Sequence, residues 1–569
     1  MAYVVKKKIY GNEYYYLRES VREGSKVKSI ALAYFGKTKP TDEEVKKKLE
    51  EIRLKKTLEE KPEKAEVEIE VEDINIEKKD TSDIIKEYIK EPKHRTLITI
   101  DEMYTFCKKK GFVFPNSEIY GGLAGFFDYG PLGVELKNNI KADYWKTFVQ
   151  QREDVVGIDG SIISHPKVWE ASGHAANFTD YIYECDKCKI LVKGDNDKGA
   201  ECTKCKQMLG NPKKFNLMFK TQIGPFETKD STAYLRPETA QLIFTNFKNV
   251  MDTARQKLPF GIAQIGKAFR NEISPREFLF RVREFEQAEI EFFTHPDRIN
   301  DCAYFSEIED MEVNIITAEA QNKNEAHIRI KIKDLTKLTS KWHAYWIGII
   351  YKWFTGNGII EQNIRIREHL KEELAHYATA CFDLEYNFPF GWREIHGNAD
   401  RKQFDLNQHI NSSKKDLSVY DEETKQKVVP YVASEPSQGI DRAFLTFMFE
   451  AYHDDKERGN IVLYLSPNLA PIKVGVFPLV NKLEEKAEEV FTEIKSSFNA
   501  MYDRSGSVGR RYARADEIGI PYCVTIDFDT LNDNSVTIRD RDTTKQIRVK
   551  IENIKEILWK LLNQQIEFE

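Results

Sequence analysis

The chain has 569 residues and a mass of 66.3 kDa, with 41% hydrophobic, 12% aromatic and 31% charged residues and a mean hydropathy of -0.55. Its 34 Phe and 26 Tyr need cores, which excludes a wholly disordered chain; the most apolar stretch, around 346–354, is broken by Lys352 and falls far short of the roughly 20 apolar residues of a membrane span. Net charge is -6, but residues 1–40 carry nine Lys/Arg and three Glu, a local +6 on a body of -12, which is compatible with RNA binding at one end.

In chain order, Met1 to Lys8 has no apolar leader segment, so a cytoplasmic location is expected. Residues 1–40 read as a basic, β-rich module of short strands with a turn at Glu23-Gly24-Ser25. Thr41 caps an exposed, charge-paired helix over 43–60, and a Glu/Lys-rich linker or exposed strand follows to about 95. From 96 to 465 the mixed patterns predict an α+β body. It includes a helix over 134–150 and a strand over 155–164. Another strand over 232–236 leads to a helix opened by Pro237. Strands over 261–270 and 280–293 flank a polar loop, a strand covers 428–433, and a helix starts near Ile440. Residues 466–569 alternate strands (473–477, 522–527, 535–539) with helices (483–494, 551–562), the pattern of a compact α/β domain.

The sharpest local signal is Cys185-x-x-Cys188 followed by Cys202-x-x-Cys205. Two such knuckles make a closed, tetrahedral thiolate site, so a structural zinc ribbon is expected at about 181–210. Cys107, Cys302, Cys381 and Cys523 are scattered and read as buried thiols in a reducing compartment. Strand alternation over 281–289 puts Arg281, Arg283, Phe285, Gln287 and Glu289 on one face. Behind the Phe269-Arg270-Asn271-Glu272 segment, that face suits a phosphate and a flat ring. A solvated face is the alternative. Glu435-Pro436-Ser437-Gln438-Gly439-Ile440-Asp441-Arg442 joins a strand to a helix start, where an anion is favoured.

Together these elements resemble motifs 2 and 3 of class II aminoacyl-tRNA synthetases, with 134–166 similar to motif 1, the dimer-forming element. The match is nearest to glycyl-tRNA synthetases of the dimeric, archaeal and eukaryotic type. It is carried by SEIYGGLAGFFDYGPLGVELKNN (117–139), WEASGHAANFTD (169–180), LRPETAQ (235–241), FRVREFEQAEIEFF (280–293), EPSQGIDR (435–442) and SGSVGRRYARADEIGIPYCVTIDFDT (505–530). The resemblance implies an antiparallel-sheet catalytic domain over 96–465, with an insertion at about 296–380, and an anticodon-binding domain over 466–569. It also implies a homodimer.

The implied reaction activates glycine with ATP to glycyl-adenylate, then transfers it to the 3' end of tRNA(Gly), with Mg2+ offsetting phosphate charge. By the family pattern Arg270 and Arg442 are catalytic, Arg270 at the α-phosphate and Arg442 with Arg281 at the triphosphate tail. Glu272 reads the adenine amine and Phe285 stacks on the base. The wider ATP set is Asn271, Phe280, Val282, Arg283, Glu284, Glu394, Ile395, Gly439, Ile440 and Asp441. Glu238, Glu289 and Glu435 surround the glycine ammonium over a floor at Ser437, with Phe285, Glu286, Gln287, Ala288, Pro436, Gln438 and Gly439 completing the set. Every competing amino acid is larger than glycine, so exclusion by size needs no editing domain. At 380–383 the chain has Ala-Cys-Phe-Asp, with Ala380 where the family has Asp. Arg504, Arg510, Arg511 and Arg514 form a basic patch for the anticodon stem. Two other readings compete: a catalytically inactive, RNA-binding paralogue, and a serine or threonine enzyme. The intact Arg270, Glu272, Phe285 and Arg442 argue against the first, and the three-Glu pocket argues against the second.

Overall fold

A computed structural model describes the strands within residues 2–36 and residues 95–568, apart from 195–200, 203, 227–230, 376–377 and 423. The expected helix at 43–60 and the linker after it lie outside the described residues. The chain divides into two units, Met1–Ile89 and Lys90–Glu569. In the first, β1 (Ala2–Ile9), β2 (Asn12–Glu23) and β3 (Lys26–Gly36) form an antiparallel sheet, with bulges between β2 and β3.

The second unit is built on a nine-stranded sheet. Its strands are β4 (Val155–Gly157), β5 (Phe260–Phe269), β6 (Glu284–Thr294), β7 (Glu312–Ile316), β8 (Ile328–Lys331), β9 (Ile364–Glu368), β10 (Ala380–Phe388), β11 (Gly391–Asp400) and β12 (Tyr431–Gly439). They lie in the order β8-β7-β9-β10-β11-β12-β6-β5-β4. All pairs are antiparallel except β4 with β5 and β7 with β9. The stretch 296–380 therefore adds strands to this same sheet.

One face of the sheet packs on α1 (Pro131–Trp145), α3 (Lys341–Gly356) and α4 (Ile440–Ala451), in a core that includes Ala288, Ile290 and Phe292 of β6. Pro131 opens α1, where its missing N–H costs nothing. The other face is covered at one end by α2 (Ala240–Ala254), whose Ile243, Phe244 and Phe247 pack with Phe293. The rest of that face is the floor of the site. Because β-strand side chains alternate, β6 sends Phe285, Gln287, Glu289 and Glu291 to the site face and Ala288 and Ile290 to the core.

Several boundaries differ from the sequence expectation. Residues 155–164 break into β4 and a two-residue strand, Ile163–Ser164, in another sheet. Pro237 does not open a helix: α2 starts three residues later, because Arg270 Nε donates to the Pro237 carbonyl at 3.0 Å and the Thr239 N–H donates to Glu289 at 3.0 Å, holding the segment open. The second motif strand begins at Glu284, after a 3-10 turn at Phe278–Phe280, so Arg281 and Arg283 approach it irregularly. Of the scattered cysteines, Cys107 and Cys523 are buried, but Cys302 and Cys381 are only half-buried. Among the described residues, no helix is long and apolar enough to cross a membrane.

Near the C-terminus, β13 (Val474–Pro478), β14 (Ala500–Tyr502), β15 (Tyr522–Ile526), β16 (Ser535–Asp540) and β17 (Gln546–Lys550) form a second sheet in the order β14-β13-β15-β16-β17. Residues 508–517, which carry most of the expected basic patch, form a helix, Val508–Glu517. It takes Arg511 inside, donating to the Pro478 and Leu479 carbonyls, and pairs Arg514 with Asp503; Arg504, ahead of the helix, pairs with Glu484. Only Arg504 and Arg510 of that patch stay exposed.

Candidate active site

A cavity of about 300 Å³ opens on the sheet floor. It is lined by Arg270, Glu272, Phe280, Arg281, Val282, Phe285, Gln287, Glu394, Ser437, Gly439, Asp441 and Arg442, together with Leu279. Three arginines thus face one space. Arg270 lies over the Phe285 ring at 5.3 Å. Arg281 meets Glu272 at 3.4 Å. Arg442 starts from the first turn of α4, lies over Phe280 at 4.5 Å, and pairs with Glu394 at 2.9 Å. The concentration of guanidinium groups beside aromatic rings fits a phosphate chain carrying a flat base.

Behind this cavity the floor turns acidic. Glu289 accepts from four donors: the Thr239 N–H at 3.0 Å, Ser437 Oγ at 2.9 Å, and the Thr239 hydroxyl and Gln287 amide. Burial and the neighbouring Glu238 still push its carboxyl up. Glu238 faces His174 at 3.1 Å. Burial works to raise the Glu238 carboxyl, but His174, with Arg401 and Gln241, outweighs it and holds it well below the ordinary range. Glu435 accepts from Arg401 at 2.6 Å, yet burial, aided by Glu289 and Glu238, pushes it up to about 8. Three carboxylates of unequal charge converge with Ser437, a setting that favours an incoming cation.

The remaining residues expected at the site fall elsewhere, mostly by strand alternation. Glu284 pairs with Lys267, and Glu286 with Lys137 and Lys141, on the opposite side of β6; Ala288 is core. Ile395 and Ile440 are also core. Gln438 points away from the cavity, bonding His396 and the Ile395 carbonyl, and Pro436 is buried beside it on β12. Asn271 donates its N–H to the Leu217 carbonyl. Arg283 clamps the Glu272 and Ala124 carbonyls, so it braces the loop. Asp441 touches the cavity, but its carboxylate accepts from Lys137, Tyr129 and the Glu286 N–H, which pins α4 to α1.

Sequence reasoning missed the layer beneath. Arg401, 1% exposed, holds Asp405 at 2.7 and 2.8 Å as well as Glu435. Gln241 links Glu238 to Asp405 at 3.1 and 2.9 Å. Glu291 lies beside them, fully buried, with neither oxygen hydrogen-bonded. Arg401 directly follows the end of β11, outside the segments that carry the resemblance, whereas His174 lies inside one of them, WEASGHAANFTD.

Away from the cavity, the four cysteines converge: their sulfurs lie within 4.8 Å of one another, with Cys185 Sγ 3.6 Å from Cys205 Sγ. The two knuckles are built alike. Lys189 N–H donates to the Cys185 carbonyl and Lys206 N–H to the Cys202 carbonyl, each lysine in the left-handed region at φ 55° and 61°. Thiolates on a zinc ion at about 2.3 Å stand roughly 3.8 Å apart, so the donor set and its spacing fit a closed tetrahedral metal.

Residues 219–432 match the tRNA synthetase class II core domain (G, H, P, S and T), and residues 473–561 match the anticodon binding domain family. Among curated relatives, the glycine–tRNA ligase of Caldanaerobacter subterraneus subsp. tengcongensis is 45% identical over 492 residues, spanning 81% of this chain and 98% of that protein. That of Acetivibrio thermocellus is 44% identical over 488 residues, covering 80% and 97%, and that of Clostridium acetobutylicum 45% over 493 residues, covering 81% and 98%. With a cavity that pairs arginines and rings with a carboxylate pocket, on a class II core followed by an anticodon-binding domain, the chain belongs to the glycine–tRNA ligases.

Proposed function

We propose that the cavity activates glycine with ATP through the residues named above. The convergence of Glu238, Glu289, Glu435 and Ser437 directly behind the Arg270–Phe285–Arg442 cavity supports this most strongly. The adenine lies against Phe285, with Glu272 at its amine. Arg270 meets the α-phosphate, and Arg281 and Arg442 meet the tail. A glycine carboxylate oxygen attacks the α-phosphorus, the bond to the bridging oxygen of pyrophosphate breaks, and glycyl-adenylate remains. The terminal hydroxyl of tRNA(Gly) then attacks the carbonyl carbon and AMP leaves. The protein forms no covalent bond; it orients the partners and stabilises phosphate charge. Mg2+ offsets phosphate charge when bound, and Glu394 is the carboxylate at the cavity wall suited to hold it.

The carboxylate pocket takes the glycine ammonium, and Ser437 fills the space a side chain needs. ATP–pyrophosphate exchange on the purified protein, without tRNA, tests both. Exchange with glycine but not with alanine or serine is expected. Silence with all three, on folded and zinc-replete protein, would overturn the reading in favour of an RNA-binding paralogue. A pH series sharpens it. The Glu435 carboxyl stands at about 8 in the free protein, so glycine must displace its proton at neutral pH. The KM for glycine is therefore expected to fall as pH rises from 6 toward 8, and Glu435→Gln should flatten that slope. A KM independent of pH in the wild type would contradict the assignment.

The Cys185–Cys188–Cys202–Cys205 cluster holds a structural zinc ion, with no open position for catalysis. The catalytic region runs over 96–465 and the anticodon-binding region over 466–569, reached in the cytoplasm by tRNA(Gly). The chain works as a homodimer of the type its motif-1 segment resembles. The exposed Ile119 and Tyr120, at 88% and 87%, support an apolar contact with a second copy. The basic strands of residues 1–40 serve either tRNA contact or an accessory role.

A further inference from the structure

A second group of metal-type side chains lies beside the cavity wall. Cys381 and Asp383 alternate onto one face of β10, and His369 follows directly on the end of β9, its N–H donating to the Cys381 carbonyl at 3.0 Å. One donor atom from each of the three lies within 4.8 Å of the others. His369 Nε2 is 2.7 Å from Asp383 Oδ2, while its buried Nδ1 has no hydrogen-bond partner. Arg367 stands 3.9 Å from Asp383 but is engaged at 2.6 Å by Glu373.

The group abuts the nucleotide end of the site. A Cβ placed on Gly397 would be 3.7 Å from Asp383 Oδ1 and 3.9 Å from Glu394 Oε1, so the two carboxylates flank one small gap. Glu394 in turn holds Arg442 at 2.9 Å. A plain hydrogen-bonded His–Asp pair accounts for the 2.7 Å contact. It does not account for a thiol on the same face, within ligand distance of both.

We propose that His369, Cys381 and Asp383 form a second metal site, open on the side of Glu394, that takes a soft or borderline divalent cation and thereby inhibits ATP use. Imidazole, thiolate and carboxylate together select Zn2+, Cd2+ or Co2+ over Mg2+, which avoids sulfur. Three protein ligands leave a coordination position open. A dication there competes with Arg442 for Glu394. The inhibitory part rests on the reading that Glu394 and Arg442 border the nucleotide; the binding part does not.

The test uses the full chain with its four-cysteine cluster already filled with zinc. Co2+ is added and followed by absorbance. One further equivalent should bind with a thiolate-to-cobalt charge-transfer band, and Cys381→Ser should bind it at least about tenfold more weakly and lose the band. Cys381→Ala serves as the second variant should serine disturb the fold. Absence of the band, or the same band in both variants, would overturn the site. In parallel, Cd2+ should inhibit glycine-dependent ATP–pyrophosphate exchange in the wild type, and at least about tenfold more Cd2+ should be needed in Cys381→Ser. Cobalt binding with unchanged exchange would keep the site and overturn the placement of the nucleotide beside Glu394.

Discussion

Arg442→Ala is expected to lower kcat/KM for glycine-dependent ATP–pyrophosphate exchange by about 10²–10³-fold, or roughly 3–4 kcal/mol of transition-state stabilisation. Arg442 is positioned before substrate arrives: its Nε donates to the Phe280 carbonyl at 3.3 Å and its NH1 meets Glu394 at 2.9 Å, with the plane over Phe280. Little reorganisation is then needed when charge develops on the phosphates. Arg442→Lys keeps the charge but loses the planar fork and the stacking, so it should recover only a small part of the rate. Both variants should fold normally, since the side chain is at the cavity surface rather than in a core. Exchange within about threefold of the wild type in Arg442→Ala would sink the assignment.

The largest stability effect is expected at Arg401. Arg401→Met should cost about 3–5 kcal/mol at neutral pH, read as a fall in the urea midpoint. The side chain is fully buried and is the shared cation of Asp405 and Glu435, with Glu291 close by. Removing it leaves carboxylates in a dry interior with nothing to balance them. The folded-state pKa values of Glu435 and Glu291, already raised by burial, then rise further above the unfolded ones. Stability from such groups is fully present below the unfolded pKa and is lost as pH rises through the folded pKa. The deficit of Arg401→Met should therefore shrink as pH is lowered from 8 toward the ordinary carboxyl range. A deficit that stays constant across this pH range would show that the arginine matters by packing alone.

How much was legible in the sequence depends on what kind of signal each residue gives. Arg270, Glu272, Phe285, Ser437 and Arg442 lie in motifs whose local pattern already states their chemistry, and all five line the cavity. The cysteine knuckles were legible for the same reason. Alternation was legible too, and by it β6 turns Glu286 and Ala288 away from the site, although both belong to the glycine set that the resemblance implies. Arg401 was not legible as a site residue. An arginine at a strand end reads as solvated, and only the convergence of Asp405 and Glu435 from distant parts of the chain makes it buried. Pro237 misled because a proline after a strand usually opens a helix; a tertiary hydrogen bond from Arg270 overrode that preference. Arg511 misled in the opposite way, since a basic run signals surface until two backbone carbonyls draw one guanidinium inside.

The junction near residue 465 looks, as text, like a place where one module ends and another starts. In the fold it is a clasp. Arg541, 1% exposed, donates to the Leu465 carbonyl at 2.7 Å and to the Gly519 carbonyl at 2.9 Å. Arg458 reaches across to the Arg541 and Asp542 carbonyls at 2.8 and 3.1 Å. A recombination event that exchanged everything after residue 465 would have to import an arginine to meet the Leu465 carbonyl and carbonyls to meet Arg458, or leave these groups buried without partners. The regions before and after residue 465 are thereby tied together by a handful of charged hydrogen bonds at their seam.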